Sequence, residues 1–499
     1  MIAFSLKELV QKSKGLLHFG AKSKLNSDEA LIKSVSTSSK SADQDTLFIP
    51  LKGERFDAHD FIEDALDHGA GAVGSHRSYD ELKGQVSLEK LERCTVVECS
   101  DTLRLLGLCG QIVRHKSGTL IGAITGSCGK TTVKEMSASI LAQKGKTLFT
   151  EGNFNNDVGV PLTLLRLDNS FEYAIVEQGA SHLEDIARTS EFVEADFALI
   201  TNVGEAHIEG FGSSKGVYQG KSEILDKLFS LYPVEKKDYT STGLLKGIAI
   251  VPADNKFIDC WKEDYLSAFE QGKLLTFGTS SSATMQVSNI VSTNNVLSFH
   301  LHSNDERFKC DVDITINSLG RHNAINAAGA ALLAMAMGAS EQEVVQGLST
   351  TENMKGRLTP ISYDHGLTII DDAYNASFNA VIAAIDTLEA FEGNRVFIFG
   401  DMGELGTQEV ELHQKVGAYA KDKIDLLLCI GPLSQYSVSA MGHKSLHFTK
   451  HEDLIDYLEN YLTKNLQDQH KVTCLIKGSH AMHMDIVVNA LKDFANQKA

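Results

Sequence analysis

Residues Thr119–Gly145 read TLIGAITGSCGKTTVKEMSASILAQKG, and the fold turns on this run. "TLIGAIT" is apolar and rich in β-branched residues, which predicts a buried strand. "VKEMSASILAQKG" continues as a helix. The "GSCGKTT" between them is a glycine-rich connection, and strand, loop, helix is the context a phosphate-binding loop requires. The usual form, G-x-x-x-x-G-K-[ST], would place its first glycine at Ile124, so the pattern is a variant one. Gly126 and Gly129 let the backbone approach phosphate oxygens, and the helix N-terminus adds N–H donors and a favourable dipole. Lys130 is placed to reach the β and γ phosphates, and the Thr131 hydroxyl to ligate magnesium. Thr125, Ser127 and Cys128 complete the loop. A thiol contributes little to phosphate binding, so Cys128 is expected to be a bystander.

The rest of the chain sets the context. At 499 residues it is too long for one ordinary core, and two to four domains are expected. A net charge of -18 argues against a nucleic-acid or anionic-membrane partner. Eight scattered cysteines without a CxxC pair fit a reducing cytoplasm and neither a disulfide framework nor a zinc site. The N-terminal "MIAFSLKELVQKSKG" reads as an amphipathic helix, and no apolar run is long enough to span a bilayer.

Along the chain, a small α/β unit precedes the loop. "EYAIVEQGA", "DFALITNVG" and "GIAIVPADN" follow as apolar strands, and "RHNAINAAGAALLAMAMG" as a closely packed small-residue helix. The alternating "MQVSNIVS", "VLSFHLH" and "DVDITIN" predict a small antiparallel sheet with one wet face. After "MKGRLTPI" a second strand–helix series begins, which predicts a mainly parallel sheet. The fold class is therefore α/β in three domains: an N-terminal unit (1–99), a central phosphate-loop unit (100–353) and a Rossmann-like C-terminal unit (354–499).

Two further residues stand where ligands gather, beyond the carboxyl ends of parallel strands, and a third follows them along the chain. Glu177 ends one strand and His207 follows the next, while Lys221 lies at a helix start in "YQGKSEI". Taken singly, each is as well explained as a cap, a loop histidine or a surface lysine.

As a set they resemble the Mur ligase family, the ATP-dependent amide-forming enzymes of peptidoglycan precursor synthesis. "TGSCGKT" matches the family loop T-G-[ST]-x-G-K-[ST] in full. "EGNFNNDVGVPLTLL", "EQGASHLEDI", "NVGEAHIEGFGS", "LGRHNAINAAGAALLA", "MKGRLTPI", "DDAYNAS" and "FGDMGELG" follow in family order. The resemblance implies ATP and magnesium as cofactors. It implies that Lys130 and Thr131 hold the triphosphate and metal, that Glu177 and His207 are metal ligands, and that Lys221 is carbamylated. Asn323 and Asn326 fall near the adenine, and Arg357 and Asp372 fall where the last domain closes over ribose and phosphates, by a hinge just before Met354. "GDMGELG", "DDAYNA" and "GRHN" resemble members that take UDP-N-acetylmuramoyl-tripeptide and D-alanyl-D-alanine. Ser39, Lys52, Asn155, Asn156, Ser181, His182, Tyr374 and Asn375 are the implied substrate contacts. The chain departs from the family pattern at Ser38, Lys40, Ala58, Ser377 and His480. A cytoplasmic monomer is expected. A folylpolyglutamate synthase-like amide ligase, or a non-catalytic ATP-binding module, remains the alternative.

Overall fold

A computed structural model describes residues 1–53, 56–204, 208–293, 296–351 and 356–498. His207, the 353/354 boundary and the hinge before Met354 lie outside the described residues. Three main sheets fall within residues 16–98, 120–316 and 359–477. Among the described residues no helix is long and apolar enough to cross a membrane.

The first sheet has five strands in the order Leu16–Phe19, Thr95–Glu98, Ala72–Ser75, Thr46–Phe48 and Ser34–Ser36, with only the first pairing antiparallel. The N-terminal amphipathic stretch forms the helix Leu6–Ser13, started by a capping box in which Ser5 and Glu8 satisfy each other's backbone N–H. The helix Thr102–Ser117 contacts that helix on one side and Gly159–Leu164 of the central unit on the other. Leu105, Leu106, Cys109 and Val113 on it are buried.

The central sheet has nine strands. Leu120–Thr125 lies between Tyr173–Glu177 and Phe197–Ile200, both parallel to it. Glu177 registers with Ile124, and Ile200 with Thr125. This register brings the carboxyl ends of three neighbouring strands to one edge, beneath the phosphate loop. The helix Arg321–Ala336 covers the sheet beside the loop helix Lys130–Ala142. Its small residues are what permit this: Ala324, Ala327, Ala328, Ala330 and Ala331 are all fully buried, and a Cβ on Gly329 would stand 2.9 Å from the Phe277 ring.

The alternating segments form strands Met285–Thr293, Val296–Ser303 and Asp311–Ile316, antiparallel to one another. They do not make a separate sheet. Phe277 and Gly278 pair in parallel with Met285 and Gln286, so the ribbon extends the central sheet. The reason is a shared core: Leu297, Phe299 and Leu301 point into the cluster that also holds Phe277 and the alanine-rich helix.

The third sheet runs Thr359–Ser362, Leu367–Asp372, Val472–Lys477, Asn394–Gly400, Leu426–Ile430 and Ser445–Phe448. All pairs are parallel except the first. Asp372 and Lys477 end neighbouring strands in register.

Candidate active site

The loop needs its glycines. Gly126 (φ 145°) and Gly129 (φ 79°) are in the left-handed region. A Cβ on Gly126 would fall 2.0 Å from Thr201 Oγ1, and one on Gly129 would fall 2.8 Å from Asn326 Oδ1. The helix Lys130–Ala142 starts directly after, and its cap, Gly129, has no side chain to satisfy the first-turn N–H groups. Those donors suit an anion. Lys130 folds back over the loop and donates from Nζ to the Gly126 carbonyl at 2.8 Å.

The neighbouring strand fastens the loop. Thr201 Oγ1 and Asn202 Nδ2 donate to the Cys128 carbonyl at 2.6 and 2.9 Å, and the Cys128 N–H donates to Asn202 Oδ1 at 3.0 Å. Burial pushes the Cys128 thiol above its ordinary pKa, which leaves it a poor nucleophile at neutral pH.

Glu177 is buried and accepts from Asn155 Nδ2 at 2.8 Å through Oε1. Its other oxygen, Oε2, is buried without a hydrogen-bond partner. An orphaned carboxylate oxygen is costly unless a cation or donor meets it. Glu177 and Thr131 therefore fit a hard divalent cation.

Lys221 lies in the interior of the helix Ser214–Leu231 and not at a helix start as expected, because the helix begins earlier, at its Ser213 cap, and the lysine is fully buried. Its Nζ donates to the Ala180 carbonyl at 3.0 Å and stands 5.1 Å from the centre of the Phe211 ring. Among the described residues it forms no ion pair. Burial, and after it the charge of Lys130, hold this amine well below the usual lysine pKa. Burial also lowers Lys130, against the opposing pull of Glu177. Lys130 is thus the link between the other two: it is within electrostatic reach of Glu177 and of Lys221.

The C-terminal unit reaches the same place. Arg357 Nη2 donates to Thr131 Oγ1 at 3.0 Å, and its guanidinium lies 4.3 Å from the centre of the Tyr374 ring. Its Nε is buried without a partner. Asp372 Oδ1 accepts from the Leu358 N–H at 3.3 Å, and Oδ2 accepts from Lys477 Nζ at 2.5 Å. Lys477 is a residue that sequence reasoning passed over. The available signal was a lysine closing the otherwise apolar strand "VTCLIK". Asn326 lies against Gly129, donates to Asn323 Oδ1 at 3.0 Å, and so ties both asparagines to the loop.

The other expected contacts are dispersed. Asn156 Oδ1 accepts from the N–H groups of Val158 and Gly159 at the start of a helix. The backbone N–H groups of Ser181 and His182 donate to Asp185. The Asn375 carbonyl accepts from Lys477 at 3.0 Å. His480 meets the Tyr374 ring edge-on, with centroids 6.3 Å apart. Ser377 precedes the helix Phe378–Glu389 as its cap residue. In the N-terminal unit, Ser38, Ser39 and Lys40 lie in or beside the short turn Ser39–Ser41, Ala58 opens the turn Ala58–Phe61, and Lys52 pairs through its backbone with Asp57 in an isolated antiparallel bridge. No hydrogen bond or ion pair among the described residues joins Ser39 or Lys52 to the phosphate loop.

His322 gives a pH prediction. It stands beside Gly320. The residue is half-buried; desolvation of its ring first, then the charge of Lys477, lower its pKa to about 4, while Asp386 opposes them. An opened or unfolded chain, with its histidine near 6.5, takes the proton more readily. The stabilisation is therefore complete above pH 6.5 and falls away toward pH 4. An NMR titration of the His322 ring should find its midpoint near 4, and a midpoint near 6.5 would contradict this lowering.

Comparison with known proteins finds relatives along nearly the whole chain. The family described as "Mur ligase middle domain" matches residues 124–334, and "Mur ligase, glutamate ligase domain" matches 356–480. The UDP-N-acetylmuramoyl-tripeptide--D-alanyl-D-alanine ligase of Haemophilus influenzae is 37% identical over 480 residues, covering 94% of this chain and 96% of that protein. A crystal structure of MurF from Acinetobacter baumannii superposes with a TM-score of 0.83 at 28% identity, covering 99% of both chains. MurF ligase from Thermotoga maritima in complex with ADP shares the fold, with a TM-score of 0.77 at 22% identity, covering 94% of this chain and 99% of that one.

Proposed function

Because this chain belongs to the Mur ligase family, we propose that it joins D-alanyl-D-alanine to UDP-N-acetylmuramoyl-tripeptide at the expense of ATP, in peptidoglycan precursor synthesis. One observation carries the reading. Arg357 of the C-terminal unit donates to Thr131 of the phosphate-loop helix, and the buried carboxylate Glu177, with one oxygen unpartnered, acts on the charge of the adjoining Lys130.

A carboxylate is a poor electrophile at neutral pH, so it must first be given a leaving group. A carboxylate oxygen of the tripeptide attacks the γ-phosphorus, the bond to ADP breaks, and an acyl phosphate forms. The amine of the dipeptide then attacks the carbonyl carbon. The C–O bond breaks, phosphate departs with the former carboxylate oxygen, and the nitrogen gives up a proton.

The protein's part is positioning and charge. The loop N–H groups and Lys130 hold the triphosphate. Arg357, with its free Nε, closes on it from the C-terminal side. Asn323 and Asn326 border the loop on the side assigned to the adenine. Thr131 and Glu177 would hold magnesium, which when bound offsets the repulsion between carboxylate and triphosphate. Lys221 carries the further proposal of a carbamate. A neutral amine is the form that adds carbon dioxide, and the product is an anion where an ammonium would repel the metal. An acyl phosphate hydrolyses in water, so contact between the units before chemistry is useful. Eight unpaired cysteines support a reducing, cytoplasmic setting, and we take the enzyme to act as a monomer.

The test is a turnover assay with ATP and magnesium. Phosphate release should require both the UDP-linked tripeptide and D-alanyl-D-alanine. Release driven by glutamate and a folate, or none with any acceptor, would overturn the reading.

A further inference from the structure

The ligase reading gives no role to Lys477, a buried lysine whose partner, Asp372, is one of the expected nucleotide contacts. Lys477 is almost fully buried at the carboxyl end of its strand. Buried lysines are rare unless something holds them. Among the described residues its Nζ donates to Asp372 Oδ2 at 2.5 Å and to the Asn375 carbonyl at 3.0 Å. These bracket a single turn, Asp372 to Asn375. The turn carries Tyr374, whose ring faces the Arg357 guanidinium at 4.3 Å. Arg357 in turn donates to Thr131 of the phosphate-loop helix at 3.0 Å. The Tyr374 N–H also donates to the Gly356 carbonyl at 3.2 Å, and the Leu358 N–H donates to Asp372 at 3.3 Å. The segment holding Arg357 is thus fastened to the same turn on both sides of the arginine.

We propose that Lys477 is a positioning residue for nucleotide capture. It sets the Asp372–Asn375 turn, and through Tyr374 and Asp372 it aims Arg357 at the phosphate loop. The proposal rests on the ligase reading above. The alternative is that Lys477 only neutralises Asp372 and holds the C-terminal sheet together.

The chain of contacts makes the two separable. It runs from Lys477 to the phosphate loop, and its named members do not include the N-terminal unit. Loss of Lys477 as an aiming group should weaken ATP and leave the UDP-linked substrate alone. A purely structural lysine would, when lost, reduce the fraction of active enzyme, which lowers apparent kcat without moving the KM for ATP. Arginine keeps the charge and can bridge a carboxylate and a carbonyl, so it should restore much of the effect if aiming is the role.

The experiment compares the full-length wild type with K477M and K477R in the phosphate-release assay, with thermal melts alongside. Wild-type turnover with tripeptide and dipeptide comes first; its absence would fail the ligase reading and not this proposal. Given turnover, K477M is expected to raise the KM for ATP tenfold or more, with the KM for the UDP-linked substrate within twofold of wild type. K477R is expected to return the KM for ATP to within about threefold. An unchanged KM for ATP in K477M would overturn the proposal, as would an equal rise for both substrates. Should K477M show no cooperative melt, K477Q keeps an N–H donor for the Asn375 carbonyl without the charge, and the same two outcomes apply to it.

Discussion

Lys130→Met is expected to lower kcat/KM by about 10³-fold or more, equivalent to about 4 kcal/mol of transition-state stabilisation. The size follows from where the ammonium sits. Its Nζ lies 2.8 Å from the Gly126 carbonyl, within a loop whose backbone has no other cation of its own. Burial lowers its pKa, so the site already bears a cost for keeping it charged, and Glu177 is the main group working in the other direction. A triphosphate would repay that cost, most of all as negative charge shifts during transfer. Methionine fills similar space without charge, so the loop glycines and the Thr201 and Asn202 contacts to Cys128 remain. Steady-state kinetics with a thermal melt checks this. A loss of less than tenfold in a folded variant would contradict the role given to Lys130.

Lys221→Arg is expected to cost about 10²- to 10³-fold in kcat, in line with the removal of a preorganised electrostatic group. Arginine stays protonated and cannot form a stable carbamate. It would leave a fixed cation in a fully buried site whose present partners are the Ala180 carbonyl and the Phe211 ring. Such a charge would oppose both Lys130 and a bound metal. In ¹³C-labelled bicarbonate the wild type should show a carbamate carbon signal that K221R lacks. K221R with wild-type kcat, or a wild type without that signal, would remove the carbamate from the account.

Much of this was legible in the chain. The phosphate loop is a local device: strand, glycines, lysine and helix lie within 27 consecutive residues, Thr119–Gly145, so its reading needs no knowledge of distant contacts. The parallel sheets were legible for the same reason, since apolar strands alternating with helices announce them. The antiparallel ribbon was read as strands correctly, but its attachment to the central sheet rests on two residue pairs, Phe277 with Met285 and Gly278 with Gln286. Alternation shows which face is wet and says nothing of which neighbour a strand end will find. Glu177 and Lys221 could be singled out by position, yet the missing partner of Oε2 and the complete burial of Lys221 are tertiary facts. Lys477 was passed over because its partner, Asp372, is 105 residues away along the chain. Asn156 was read with Asn155 from one asparagine-rich run; only the fold separates them, turning one toward Glu177 and the other toward a helix start.

The central claim is that the tripeptide carboxylate is phosphorylated at this site before the amide forms. Tripeptide labelled with ¹⁸O in its terminal carboxylate tests it directly, with the released phosphate analysed by mass spectrometry after a single turnover. The account predicts one ¹⁸O atom in the phosphate and one in the new amide. Unlabelled phosphate alongside amide product would contradict it, because the carboxylate oxygen would never have been bonded to phosphorus.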